Sequence, residues 1–93
     1  MQPEPISSII RRILSKSGLD KEIKKSEIFG QWPEIVGKKI ASKAELVAIE
    51  QGILFVQVSD SSWRNELSLM EGIIIAKINE TFDEERVSRI YLL

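Results

Sequence analysis

A chain of 93 residues, 43% hydrophobic and 29% charged, fits one globular domain with a modest core and argues against disorder. The absence of cysteine and histidine excludes a disulfide framework and a thiolate zinc site, and it removes the commonest general base. No apolar run is long enough to cross a membrane, and the N-terminus lacks a signal-peptide layout, so we expect a cytoplasmic protein.

The net charge of -1 hides an uneven distribution of charge along the chain. Residues 1–43 contain nine Lys/Arg and five acidic residues, whereas residues 44–93 contain four Lys/Arg and nine acidic residues. A basic half can concentrate a positive potential that the total conceals, which favours a polyanionic partner. The alternative is that these cations are only the solvated faces of ordinary helices.

The first half of the sequence predicts two helical segments. In residues 1–18, isoleucine and leucine recur at helical spacing, which predicts an amphipathic helix that ends near Gly18. Residues 19–45 predict a second, bent helical segment. Because a residue that precedes proline avoids helical dihedral angles, Trp32, just before Pro33, marks the expected bend or boundary.

The second half predicts a β-hairpin, a long helix and a last strand. Residues 45–59 have the composition of a hairpin, residues 61–81 carry the apolar stripe of one long helix, and residues 86–92 alternate as a third strand. Gly37 and Gly72 fall inside predicted helices, where a glycine usually permits close approach of another backbone. The order α-α-β-β-α-β predicts an α+β domain, a three-stranded sheet covered by helices.

The segment SDSSWRNELSLM opens the predicted long helix and contains two candidate functional residues. Trp63 shares a helical stripe with Leu67, so it is either a core residue or, if exposed, a surface on which bases stack. Arg64 points away from that stripe, in a first turn whose free N–H groups favour anions. It is therefore either a phosphate contact or an ordinary surface residue.

Several short motifs follow one another at characteristic spacing: Trp32, Ile35-Val36-Gly37, the strand Gly52–Val56, Ser61-Ser62 and Glu66-Leu67. In this order they resemble the DciA-like family of small bacterial proteins, and the resemblance covers nearly the whole chain. It implies a KH-like domain related to the type II arrangement, nucleic-acid binding, and help in placing the replicative helicase on DNA. The Gly-x-x-Gly loop of a standard KH domain is absent, because Gly30 and Gly37 are too far apart.

The basic first half and the resemblance together favour a non-enzymatic module of DNA replication that binds single-stranded or duplex nucleic acid. The replicative helicase is a second candidate partner, and no catalytic, metal or cofactor site is expected. The candidate contacts to nucleic acid are Lys38, Lys39, Lys43, Arg64, Arg11, Arg12, Lys24 and Lys25, with Trp63 for stacking. The alternative hypothesis is a protein-interaction adaptor, or a self-associating domain, that uses the long helix or a sheet edge.

Overall fold

A computed structural model describes residues 18–93, which follow the order α-α-β-β-α-α-β. The predicted α+β class, with a three-stranded sheet and a small KH-like arrangement, is confirmed. The predicted helix over residues 1–18, with Arg11 and Arg12, lies outside the described residues. The described elements are α1 (Leu19–Val36), α2 (Lys38–Lys43), β1 (Ala44–Glu50), β2 (Ile53–Val58), α3 (Ser61–Leu69), α4 (Glu71–Thr81) and β3 (Arg89–Leu92).

The sheet is mixed, with β2 between β1 and β3. β1 and β2 form the predicted hairpin, antiparallel, and both residues of its Gln51-Gly52 turn have positive φ, at 51° and 77°. β3 runs parallel to β2, because α3 and α4 carry the chain back across one face of the sheet. The register of β1 shifts between Leu46 and Ala48, which leaves Val47 as a bulged residue on the outer edge.

Alternation along the strands places one face of the sheet in the core. The β2 residues Leu54, Val56 and Val58 are buried, while the residues between them are not. Trp32 anchors α1 to this face, because its buried indole N–H donates a 3.0 Å hydrogen bond to the carbonyl of Ala44. The other large buried residues of the helices are Ile28, Ile35, Ile40, Leu67, Ile74 and Ile78.

The boundary within the predicted bent segment lies at Gly37 and not at Trp32. Helix α1 continues through Pro33 to Val36, since burial of Trp32 and Ile35 on one side of the helix outweighs the local preference of a pre-proline residue. Gly37, with φ 92° and ψ 153°, then separates α1 from α2. A Cβ at Gly37 or Gly72 would meet no described atom within 4 Å, so among residues 18–93 no other backbone approaches either glycine as predicted.

The predicted long helix is two helices that meet at Met70. The Met70 N–H still donates to the carbonyls of Glu66 and Leu67 at 3.1 Å, and the Ile74 N–H donates to the Met70 carbonyl at 3.0 Å. Because the apolar stripe runs unbroken through Met70, periodicity alone does not reveal the break. β3 also begins at Arg89, three residues later than predicted.

The side chain of Asn79 on α4 holds Arg86 and Val87, which precede β3 and are not part of the sheet. Its side-chain oxygen accepts hydrogen bonds from the backbone N–H groups of Arg86 at 2.8 Å and Val87 at 3.0 Å. Its amide nitrogen donates to the Val87 carbonyl at 3.0 Å. Three backbone groups of the connection are thereby satisfied by one side chain, and Val87 is held in the core at 1% exposure.

We predict that Asn79→Ala lowers the free energy of unfolding by about 1–3 kcal/mol, because it leaves three partly buried backbone groups without their partner. Urea denaturation of the purified chain measures this change. The matched control is Asn65→Ala, at an exposed asparagine that forms no hydrogen bond with a described residue, and it should stay within about 0.5 kcal/mol of the unmodified protein. Equal small losses in both variants would contradict the role given to Asn79.

Candidate nucleic-acid interface

Three of the predicted contacts, Lys38, Lys39 and Lys43, lie on the six-residue helix α2. All three side chains are exposed, and none forms a salt bridge with a residue in the described part of the chain. α2 is held on the core by the buried Ile40, and its short length keeps its three cations close together. With no acidic residue in its first turn, nothing on α2 itself offsets their positive potential.

Trp63 lies beside this helix. The Lys39 ammonium is 5.8 Å from the centroid of the Trp63 ring, a cation–π distance. Trp63 is half-buried and packs against the core, so it both anchors α3 and keeps part of its ring accessible. Helix α3 begins at Ser61 because the preceding Asp60 caps it: the Asp60 side chain accepts a 2.8 Å hydrogen bond from the Ser62 N–H. We call the group Lys38, Lys39, Lys43 and Trp63 the lysine–tryptophan surface.

Arg64 faces a different part of the molecule. Its guanidinium donates hydrogen bonds to the carbonyls of Leu92, at 3.3 Å, and Leu93, at the end of β3. Glu71 holds the same strand, since its carboxylate accepts from the Ile90 N–H at 2.9 Å. An open groove of about 540 Å³ lies between α3 and β3 around these contacts. Arg64 therefore ties α3 to the sheet, a role that no local sequence signal indicated.

Lys24 and Lys25 are paired with carboxylates and stand apart from the lysine–tryptophan surface. Lys24 lies 2.5 Å from Glu84 and 3.5 Å from Asp20, while Lys25 lies 3.4 Å from both Glu22 and Glu50. Glu50 ends β1, whereas α2 joins the start of that strand. The two groups of cations are thus separated by the length of β1, roughly 20 Å at 3.3 Å per residue.

Arg86 lies outside the set of cations predicted to contact nucleic acid. It is the least exposed of the paired cations, at 9%, and lies 3.0 Å from Glu27 and 3.0 Å from Glu84. Its guanidinium carbon also lies 4.0 Å from the centroid of the Phe82 ring. Hydrogen bonds from Lys24 and then from Arg86 lower the pKa of Glu84, and the hydrogen bond to Glu84 raises the pKa of Lys24. The ion pairs Lys24–Glu84 and Glu27–Arg86 therefore hold the loop after α4 against α1.

The acidic run Asp83–Glu85 is therefore partly used for structure, through Glu84. Across residues 18–93, no group of three or more His, Cys, Asp or Glu side chains is arranged to hold a metal ion. Within the same range, no helix combines the length and apolarity that a membrane crossing requires.

Comparison with known proteins identifies relatives of the chain. The family described as "Dna[CI] antecedent, DciA" matches residues 5–92. A "UPF0232 protein" of Mycobacterium ulcerans is 30% identical over 76 residues, which cover 82% of this chain and 41% of the relative. A UPF0232 protein of Rhodococcus jostii is also 30% identical over 76 residues, with 82% of this chain and 40% of the relative covered. The chain thus spans about two fifths of the length of these relatives.

We predict that Glu84→Gln lowers the free energy of unfolding at neutral pH by less than about 1 kcal/mol, since both partners are partly exposed to solvent. The pKa of Glu84 is depressed in the folded state, so its contribution is present above its unfolded pKa and is lost as pH falls through the folded pKa. The difference between the two proteins in thermal denaturation should therefore vanish in acid.

The neighbouring Glu85→Gln is the matched control, because Glu85 is exposed and forms no salt bridge with the residues described. It should change stability little at either pH. A Glu84→Gln effect that persists unchanged at low pH would contradict the ion-pair explanation.

Proposed function

This chain belongs to the DciA family, and on that premise we propose that it is a non-enzymatic module that binds nucleic acid during DNA replication. Membership supports a role related to DNA replication in general. Neither the family description nor the names of the relatives states a catalytic activity. A replication role would place the protein in the bacterial cytoplasm.

The observation that carries the proposal is the contrast between two sets of lysines. Lys24 and Lys25 are each within salt-bridge distance of two carboxylates, so much of their positive potential is neutralised inside the protein. Lys38, Lys39 and Lys43 form no such pair among the described residues. Uncompensated cations on one short helix repel one another, and a bound phosphate backbone relieves that repulsion.

The lysine–tryptophan surface suits a single strand better than the groove of a duplex. Lysines on a helix as short as α2 can contact successive phosphates, which fixes position but carries no sequence information. The accessible part of the Trp63 ring offers a base a surface for stacking, beside the Lys39 ammonium. We therefore propose binding that depends strongly on salt and only weakly on base sequence.

Replacing all three lysines by glutamine should weaken binding to a labelled single-stranded oligonucleotide and flatten its dependence on salt. Each phosphate contact that is lost should reduce the logarithmic salt slope by roughly 0.7, so the Lys38→Gln, Lys39→Gln, Lys43→Gln variant should lose up to about 2. Fluorescence anisotropy across a series of salt concentrations measures the slope. Because Trp32 is buried, quenching of the tryptophan emission in the same titration reports on stacking at Trp63.

The control for this experiment is Lys21→Gln, Lys77→Gln, at two exposed lysines on α1 and α4 that form no salt bridge with described residues. Its slope should equal that of the unmodified protein. If the control lowers the slope as much per lysine as the α2 variant does, binding is a general effect of net charge, and the interface proposed on α2 is wrong.

We also propose the replicative helicase as a protein partner, because the motifs of this chain resemble those of the DciA-like family, and that resemblance implies help in placing the helicase on DNA. Since this chain spans about two fifths of its relatives, the measurement is a pull-down of purified replicative helicase with the chain alone. Retention of the helicase above an unrelated bait of equal charge is the expected result. No retention would restrict the proposal to nucleic acid.

A further inference from the structure

The face of the sheet that points away from the helices is uncovered within residues 18–93. By the alternation of the strands, Ile53, Phe55 and Gln57 of β2 point to this open face, and none of them belongs to the buried core. Tyr91 of β3 is 56% exposed there, and its ring centroid is 5.8 Å from that of Phe55. The remaining members of the open face are Glu45, Ala48, Glu50 and Arg89.

The strand registers arrange these residues in rows across the sheet. One row contains Glu50, Ile53 and Arg89, and the next contains Ala48, Phe55 and Tyr91. The third row holds Glu45 beside Gln57. The open face is therefore acidic along β1, apolar and aromatic in the middle, and basic at Arg89 on β3.

This pattern of charge determines what fits the face. Glu45 on β1 repels a phosphate backbone laid across the sheet, and Glu50 is already paired with Lys25, so a nucleic acid is poorly matched. A surface with opposite charges on its two sides and an apolar centre is complementary to a copy of itself turned over. The observation is independent of the lysine–tryptophan surface, which lies on the helical side of the molecule.

We propose that the open face is a self-association surface, on which a second copy of the chain packs face to face about a two-fold axis parallel to β2. This rotation keeps the direction of the strands and lays β1 of one copy over β3 of the other. The row registers then bring Arg89 opposite Glu50 of the second copy. They also bring Tyr91 opposite the small side chain of Ala48, and Phe55 opposite itself.

The charges select this axis over the alternative. A two-fold axis across the strands would place Glu50 of one copy opposite Glu45 of the other, and like charges that face each other are unfavourable. Packed sheets lie about 10 Å apart, a gap that an arginine and a glutamate can bridge from opposite sides. Glu50 already lies 3.4 Å from Lys25, so Arg89 of the second copy would add to an existing pair.

The open face is small, which sets the expected strength. Three strands spaced roughly 5 Å apart, with three rows of side chains, cover well under the roughly 800 Å² per partner of a standard interface. The dimer should therefore be weak and should form only as concentration rises. The helical layer, with α2, remains outside the contact in both copies.

Sedimentation equilibrium over a wide range of concentration tests the proposal. The unmodified chain should shift from monomer to dimer, and Arg89→Glu or Glu50→Lys should each weaken dimerisation at least about tenfold, because each changes two symmetry-related pairs. Combining Arg89→Glu with Glu50→Lys exchanges the charges and should restore association. Lys77→Glu, an exposed reversal on α4, should leave it unchanged.

Three results would overturn the proposal. The first is an unmodified chain that stays monomeric at every concentration. The second is association that Arg89→Glu does not weaken or that the exchanged pair does not restore, since either would put the contact elsewhere. The third is a monomer whose binding to an oligonucleotide is lost in Tyr91→Ala, which would make the open face a stacking surface for bases. Circular dichroism confirms that the variants are folded. Restored association in the exchanged pair shows that the single variants lose association through charge and not through misfolding.

Discussion

One-sided burial of a three-stranded sheet is the constraint from which the other features of this molecule follow. Because Leu54, Val56 and Val58 point into the core, every described helix must pack on that same face. The hydrogen bond from Trp32 to the Ala44 carbonyl fixes α1 where β1 begins, and this leaves only the short α2 to connect them. The positions of the exposed lysines on α2 are thus a consequence of how the core is closed.

The distribution of ion pairs separates structural charges from available ones. Lys24, Arg86 and Glu84 join α1 to the loop before β3, and Arg64 and Glu71 join the helices to β3 itself. Such contacts contribute little individually when they are exposed to solvent, but they determine which loop lies against which helix. Family membership supports a role related to DNA replication in general, and the three lysines of α2 form no salt bridge with a described residue.

Local patterns predicted the elements of this fold well, because apolar period and turn residues are local properties. The hairpin, the last strand and the α+β class all follow from them. The boundary at Gly37 and the break at Met70 did not, since both are decided by packing between elements distant in sequence. The candidate site was predictable only in part for the same reason. Lys24 and Lys38 both follow an acidic residue by four positions, yet among the described residues only Lys24 forms salt bridges, and its second partner, Glu84, lies 60 residues away.

Both edges of the sheet are poorly suited to pairing with a strand of another chain. Along β3, the outward N–H of Ile90 is already bonded to Glu71 and the carbonyl of Leu92 to Arg64. Along β1, the bulge at Val47 interrupts the regular ladder of peptide groups. Neither edge strand offers a complete row of free peptide groups to an extended chain, so the repeated edge-to-edge pairing that leads to fibrils is disfavoured at both edges.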